Sequence, residues 1–231
     1  MVSPTRPAAS STFVPGSTYT ALPCGSNVTR TCWSVMRSLP CNKAIVCNIR
    51  RGNATARKIR LRPMKIGIIS DSHGKTRRLR AALEILRARG AEAIVHCGDL
   101  CSPPCVQALG DCGLPAYAVA GNMDRHLVEL ATQAAEVGVT FSPEVVEAPL
   151  GDGRYLVATH GNDHAVLDEL VAGQQFPYVC HGHTHRAADE RIGAARVICP
   201  GALRHPRHPH HPTVALLDTA TDTLEFLDVP R

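Results

Sequence analysis

Residues 64–73 read Met64-Lys65-Ile66-Gly67-Ile68-Ile69-Ser70-Asp71-Ser72-His73, an apolar run that ends abruptly in polar side chains able to bind metal. An apolar run too short for a helix reads as a buried strand, here Lys65–Ser70, of the kind found inside parallel sheets. Working outward, Leu79, Ala82, Leu83 and Leu86 recur at the i, i+3, i+4, i+7 spacing of an amphipathic helix, and Gly90 stands where a C-terminal cap belongs. Ala93–Cys97 is the next apolar run. Strand, helix and strand within about 35 residues make a βαβ unit, whose strands are parallel and joined by a right-handed crossover.

The alternation continues with a strand at Ala116–Ala120 and a helix at Leu127–Val137. Gly151-Asp152-Gly153 then predicts a hairpin turn between Glu144–Pro149 and Tyr155–Thr159. A helix over His164–Val171 leads to strands at Phe176–Cys180 and Ala195–Cys199, and to a terminal pair, Thr213–Asp218 and Thr223–Asp228. The expected class is α/β with a mixed sheet, or two sheets packed as a sandwich with helices outside.

With 231 residues, 44% hydrophobic and 19% charged, the chain can bury a core, which excludes collagen-like and wholly disordered classes. No run approaches the roughly 18 apolar residues of a transmembrane helix, so no membrane partner is expected. The net charge of +5 is unevenly held: residues 1–63 carry ten Lys/Arg and no acid, whereas 64–231 carry fifteen Lys/Arg against twenty Asp/Glu. The basic balance is therefore no nucleic-acid footprint of the whole chain. Residues 1–63, rich in Ser, Thr, Pro and Arg without apolar periodicity, read as a disordered basic leader ahead of a 64–231 domain. Three explanations compete for it: sequence upstream of a true start at Met64, an organellar transit peptide, or a nucleic-acid-binding arm. Four of the ten cysteines lie in the leader and six in the body, and their spacing lacks Cys-x-x-Cys. They read as reduced thiols of a cytoplasmic protein, organellar if the leader is a transit peptide.

The metal-capable residues collect at strand ends. Asp71 and His73 follow the first strand, and in extended chain such i, i+2 side chains point the same way. Asp99 in His96-Cys97-Gly98-Asp99 follows the second strand, Asn122 in Gly121-Asn122-Met123-Asp124 the third, His160 the strand Tyr155–Thr159, and His183 and His185 the strand Phe176–Cys180. Ligands bind outside the carboxyl ends of strands in open α/β sheets. One Asp-x-His or His-x-His is a weak signal, but packing does not call for polar motifs at five strand ends. Mixed carboxylate, imidazole and amide donors suit Mn, Fe, Zn or Ni rather than Ca or a thiolate-bound Zn.

The ordered series Asp71-Ser72-His73, Gly98-Asp99, Gly121-Asn122-x-Asp124, Thr159-His160-Gly161 and Gly182-His183-Thr184-His185 resembles the calcineurin-like metallophosphoesterases. More narrowly it resembles their small single-domain prokaryotic phosphodiesterases, over Met64 to the end. The resemblance implies a four-layered α/β/β/α sandwich of two mixed sheets. It also implies two divalent metal ions, with manganese the first expectation. Asp71, His73, Asp99 and His185 would hold one ion, and Asp99, Asn122, His160 and His183 the other, so that Asp99 bridges them. Asp99, Asn122 and His160 are the expected catalytic group. A bridging hydroxide would attack a small-molecule or nucleotide phosphodiester.

Some positions depart from the family pattern. Met123 stands where protein phosphatases and dinucleoside tetraphosphatases carry a His that protonates the leaving group, which leaves that acid unassigned, with His126 or a metal-bound water as candidates. Asn162 replaces a second His after His160-Gly161, and Cys199 an Asn before Pro200-Gly201. His96 and Asp124 are candidates for orienting the imidazoles. Arg207, in the His205–Pro212 loop, is a candidate phosphate contact. The alternative function is a non-catalytic interaction scaffold, as in a retromer subunit of the same superfamily that lost a metal-binding His. Retention of all seven positions favours the enzyme. A homo-oligomer is compatible with the sequence.

Overall fold

The computed structural model describes residues 62–207 and 211–230. Apart from Arg62 and Pro63, the leader lies outside the described residues, as do His208, Pro209 and His210 of the histidine-proline loop.

The first half runs β1 (Lys65–Ile69), α1 (Thr76–Ala88), β2 (Ala93–His96), α2 (Pro103–Asp111), β3 (Ala116–Val119), α3 (Leu127–Val137) and β4 (Thr140–Ser142). The second runs β5 (Val145–Pro149), β6 (Tyr155–Thr159), α4 (His164–Ala172), β7 (Tyr178–Cys180), β8 (Ala187–Ile192), β9 (Ala195–Pro200), β10 (Thr213–Asp218) and β11 (Thr223–Asp228). One sheet has the order β11-β10-β1-β2-β3-β4 and the other β5-β6-β7-β9-β8. In the first, β1 to β4 are parallel and β10 and β11 close the edge antiparallel. In the second, β6, β7 and β9 are parallel, with β5 and β8 antiparallel at the two edges.

Alternation along the strands divides the core into layers. Ile66, Ile68, Val95, Ala215 and Leu217 of the first sheet meet Val146, Leu156, Ala158 and Ile198 of the second. Ile94, Val214 and Leu216 turn the other way, onto Leu79, Leu86, Leu109 and Leu130 of α1, α2 and α3. Val157, Val179 and Val197 form a smaller cluster with Val171 of α4. The layers are thus α/β/β/α, the architecture expected. Gly67 sets how closely α1 seats: a Cβ there would lie 2.8 Å from both Leu86 Cδ1 and Ile94 Cδ1.

The sequence reading gave no element at β4, β8 or α2. Strand β8 is a largely exposed edge whose Ala-Ala-Asp-Glu-Arg-Ile carries no apolar alternation. Helix α2 opens on Pro103 and Pro104, residues favoured in a first helical turn because they lack the N–H that would go unpaired there. Cys97, read as lying inside a strand, follows the end of β2, although its N–H still bonds to Ile69 O at 2.8 Å.

Candidate metal centre

All seven candidate ligands follow the carboxyl ends of parallel strands: Asp71 and His73 after β1, Asp99 after β2, Asn122 after β3, His160 after β6, His183 and His185 after β7. Backbone bonds lock these loops together. The N–H groups of Asp71 and His73 donate to Gly98 O and Asp99 O at 3.1 and 2.8 Å, and that of Gly182 to His160 O at 3.0 Å. Across the two sheets, the His183 N–H donates to Asp71 Oδ2 at 3.2 Å.

Asp71 and His73 are not in extended chain, contrary to expectation. Their φ values are +54° and +44°, so a turn, not strand alternation, brings His73 Nε2 to 3.8 Å from Asp71 Oδ1. The turn is needed because the chain must bend off β1 to reach the loop after β2.

The tautomers follow from fixed partners. His160 Nδ1 lies 2.8 Å from Cys97 O and His185 Nδ1 lies 2.9 Å from His205 O; carbonyls only accept, so each Nδ1 carries the hydrogen. In the neutral rings Nε2 is then a lone pair. His185 Nε2 lies 3.1 Å from Asp71 Oδ1 and 3.4 Å from His73 Nε2. His160 Nε2 lies 3.0 Å from Asn122 Oδ1 and 3.5 Å from Asp99 Oδ2. Asn122 Oδ1 is also 3.1 Å from His183 Nδ1, and Asp99 Oδ2 is 3.5 Å from His73 Nε2.

Each carboxylate has one oxygen committed to a backbone donor and one turned inward. Asp71 Oδ2 accepts from His183 N–H, while Oδ1 is buried without a hydrogen-bond partner. Asp99 Oδ1 accepts from the Met123 N–H at 2.8 Å, which leaves Oδ2 facing the two imidazoles. Acceptors converging in a buried space repel unless a cation or a proton lies among them. The donor set therefore fits divalent cations. Asp71, His73 and His185 form one close group, and Asp71, Asp99 and His160 a second, with ligand atoms within 4.8 Å of one another in each.

Burial and neighbouring groups push the candidate ligands in different directions. Burial lowers the pKa of His73 and of His183, in the latter case assisted by His160. The Asp71 carboxylate beside it raises that of His185. Burial pushes the Asp71 carboxyl up, but the His185 imidazole and Ser70 hydroxyl beside it outweigh this and hold it below its ordinary value. Burial raises Asp99, against the pull of His160 and the Met123 N–H.

The remaining sequence candidates fall around this group. Asp124 accepts from the N–H groups of Leu100, Cys101 and Gly121, so it braces the loops after β2 and β3 rather than an imidazole. His96 Nε2 lies 3.1 Å from Ser72 Oγ, between the two β1 loop ligands. His126 is the exposed residue before α3 and does not join the seven. His164 opens α4 in solvent, and Asn162 is exposed nearby. Cys199 is buried with Sγ 3.4 Å from Thr184 Oγ1, supporting the Gly182–His185 turn. The Arg207 N–H donates to His185 O at 3.1 Å and its side chain is exposed. Two residues escaped the sequence reading. Cys101 places Sγ 3.7 Å from His73 Nδ1, and Arg204 donates from Nη1 to His73 O at 3.3 Å. Neither sits in a recognisable motif; only the folded loops bring them to His73.

A model of the calcineurin-like phosphoesterase superfamily domain matches residues 64–222. A phosphodiesterase of Methanocaldococcus jannaschii is 28% identical over 157 residues, spanning 68% of this chain and 93% of that protein. A probable metallophosphoesterase of Bacillus subtilis is 27% identical over 173 residues, 71% of this chain and 91% of its own. The solved structure of a novel archaeal phosphodiesterase superposes with a TM-score of 0.65 at 26% identity, covering 72% of this chain and 100% of that one. Fold, candidate ligands at strand ends and a match over most of the chain agree: the chain belongs to the calcineurin-like phosphoesterase superfamily.

Proposed function

We propose that this chain hydrolyses phosphodiesters at a centre of two divalent cations, manganese first among them, with the activity carried by residues 64–231. The observation that carries the reading is the position of Asp99 Oδ2, 3.5 Å from both His73 Nε2 and His160 Nε2, with its partner oxygen held by a backbone donor. A carboxylate oxygen with an imidazole nitrogen on each side is placed where it could be shared between two cations. When bound, such cations lower the pKa of a water to supply the nucleophile and neutralise charge on the phosphoryl oxygens. The carbonyls of Cys97 and His205 hold the rings of His160 and His185 in the Nε2-ligating tautomer. His183 N–H, by fixing Asp71, couples the two sheets' ligands into one rigid cradle. The match of the M. jannaschii phosphodiesterase over nearly its whole length supports a diester substrate.

The test is turnover of bis(4-nitrophenyl) phosphate by the full chain with bound metal measured alongside, in the parent and in Asp99→Asn. The parent should bind manganese and turn over. Asp99→Asn should lose metal and more than about 100-fold in rate, the upper range for groups that merely orient a ligand. Equal rates and equal metal in the two proteins would overturn the reading.

A further inference from the structure

Beside the candidate centre, the loops after β2 and β3 enclose a cleft of about 190 Å³. Cys101 lines it from the loop after β2, Pro103 from the start of α2, Met123, Arg125 and His126 from the loop after β3, and Glu129 and Leu130 from α3. It begins one side chain away from the ligands. Cys101 Sγ is 3.7 Å from His73 Nδ1, and the Met123 N–H is the donor that holds Asp99 Oδ1 at 2.8 Å. Met123 of the lining is 42% exposed, and Leu127 and Val128, which follow His126 in the chain, are 40% and 83% exposed. Nothing in the proposed reaction uses the Met123 side chain, which lies between the cleft and the Asp99 loop.

We infer that this cleft receives the ring of one ester arm of the substrate, a single six-membered ring of phenyl or pyrimidine size; the inference rests on the phosphodiesterase reading and adds a substrate class to it. Size sets the limit. An apolar cavity of about 150 Å³ takes a benzene, whereas sites for drug-sized ligands start near 300 Å³. The wall is mixed, with Arg125, His126 and Glu129 beside the apolar Pro103, Met123 and Leu130. The Met123 thioether offers a polarisable contact to a ring edge. Arg125 adds a cation able to lie over a π face. A diester held by its phosphate at the centre and by its ring in the cleft is fixed at two points, which favours aryl over small alkyl esters.

The test compares phenylphosphonate with methylphosphonate, which share a non-hydrolysable head and differ only in the ring, as inhibitors of diester hydrolysis by the full chain. Phenylphosphonate should inhibit at roughly tenfold or more lower concentration, the low end of what a matched apolar group contributes in a pocket. Glu129→Trp places an indole in the cleft from α3, outside the ligand set, and should erase this discrimination while diester turnover persists. A second readout needs no turnover. The chain has four methionines, and phenylphosphonate, not methylphosphonate, should shift the Met123 methyl resonance by ring current, the signal being assigned with Met123→Ala. Equal inhibition by the two phosphonates, retained discrimination in Glu129→Trp, or an unmoved Met123 signal would each overturn the cleft inference with the activity intact. Absent turnover with a ring-dependent Met123 shift would sink the activity reading and leave the cleft.

Discussion

Five of the seven candidate ligands, Asp71, His73, Asp99, His183 and His185, hold backbones at positive φ, between 44° and 62°. Non-glycine residues avoid that region unless surrounding structure imposes it, and such strain gathers where function needs an unusual turn. Here it aims side chains inward just past a strand end, where an extended chain would carry them onward. The residue types at these positions were legible in the sequence. Their conformation was not, because Asp-x-His reads the same in a strand as in a turn. His96 shows the same division. It is fully buried, one nitrogen meets Ser72 Oγ at 3.1 Å and Nδ1 has no hydrogen-bond partner, so burial pushes its pKa from 6.5 down to about 4. The unfolded chain therefore binds a proton below pH 6.5 that the folded one refuses until about pH 4. Since stability rises with pH wherever the unfolded state holds more protons, this residue erodes stability as pH falls across that window, by up to about 3 kcal/mol. Unfolding free energies at pH 7 and pH 4.5 should differ less in His96→Gln than in the parent. An unchanged difference would place the acid sensitivity elsewhere.

Among the elements, those with strong local signals were read with nearly the right ends. Helix α3 matches its expected span, stopped by Gly138 in the left-handed conformation at φ +74°. The pairs β5–β6 and β10–β11 appear where the turn residues implied. Strand β8 went unread because an exposed edge needs no apolar pattern, and its pairing to β9 is decided by the neighbour. Helix α4 is the only one of the four described helices with a side-chain N-cap: Asp163 Oδ1 accepts from Ala165 N–H at 3.0 Å and from Val166 N–H at 3.4 Å. That helix buries little beyond Val171, so its cap contributes a larger share of its stability. Asp163→Ala should lower unfolding free energy by about 1 kcal/mol, read as a shifted denaturant midpoint with unchanged slope. A shift near zero would mean that packing alone holds α4.

Over the whole molecule the ligands and the inter-sheet clasp lie at opposite ends of the parallel strands. Arg196, at the start of β9, donates from Nε and Nη2 to Asp189 at 2.7 Å each and from Nη1 to Asp222 Oδ1 at 2.8 Å, while Tyr178 OH adds a bond to Asp222 at 3.1 Å. Asp222 lies in the turn between β10 and β11, so the clasp ties one sheet to the other away from the centre. Arg196 is 9% exposed at its side chain, but the two acids are 33% and 40% exposed, so solvent screens the network. Arg196→Met should cost about 2 kcal/mol, below the 3–5 of a wholly buried pair, and leave diester turnover unchanged. A loss of activity at preserved stability would show that the clasp positions the centre.

The sequence alone was enough for the alternating βαβ plan, the residue 63/64 break in charge, and the identity of the seven strand-end side chains, because periodicity, charge and residue type are local properties. Tertiary structure alone decided which carboxylate oxygen each backbone donor occupies and which imidazole nitrogen remains a lone pair. It also decided that Cys101, Arg204 and the Met123 cleft border the centre. Those facts depend on loops from two sheets meeting, a relation between residues as far apart in the chain as Asp71 and His183 that no local pattern encodes.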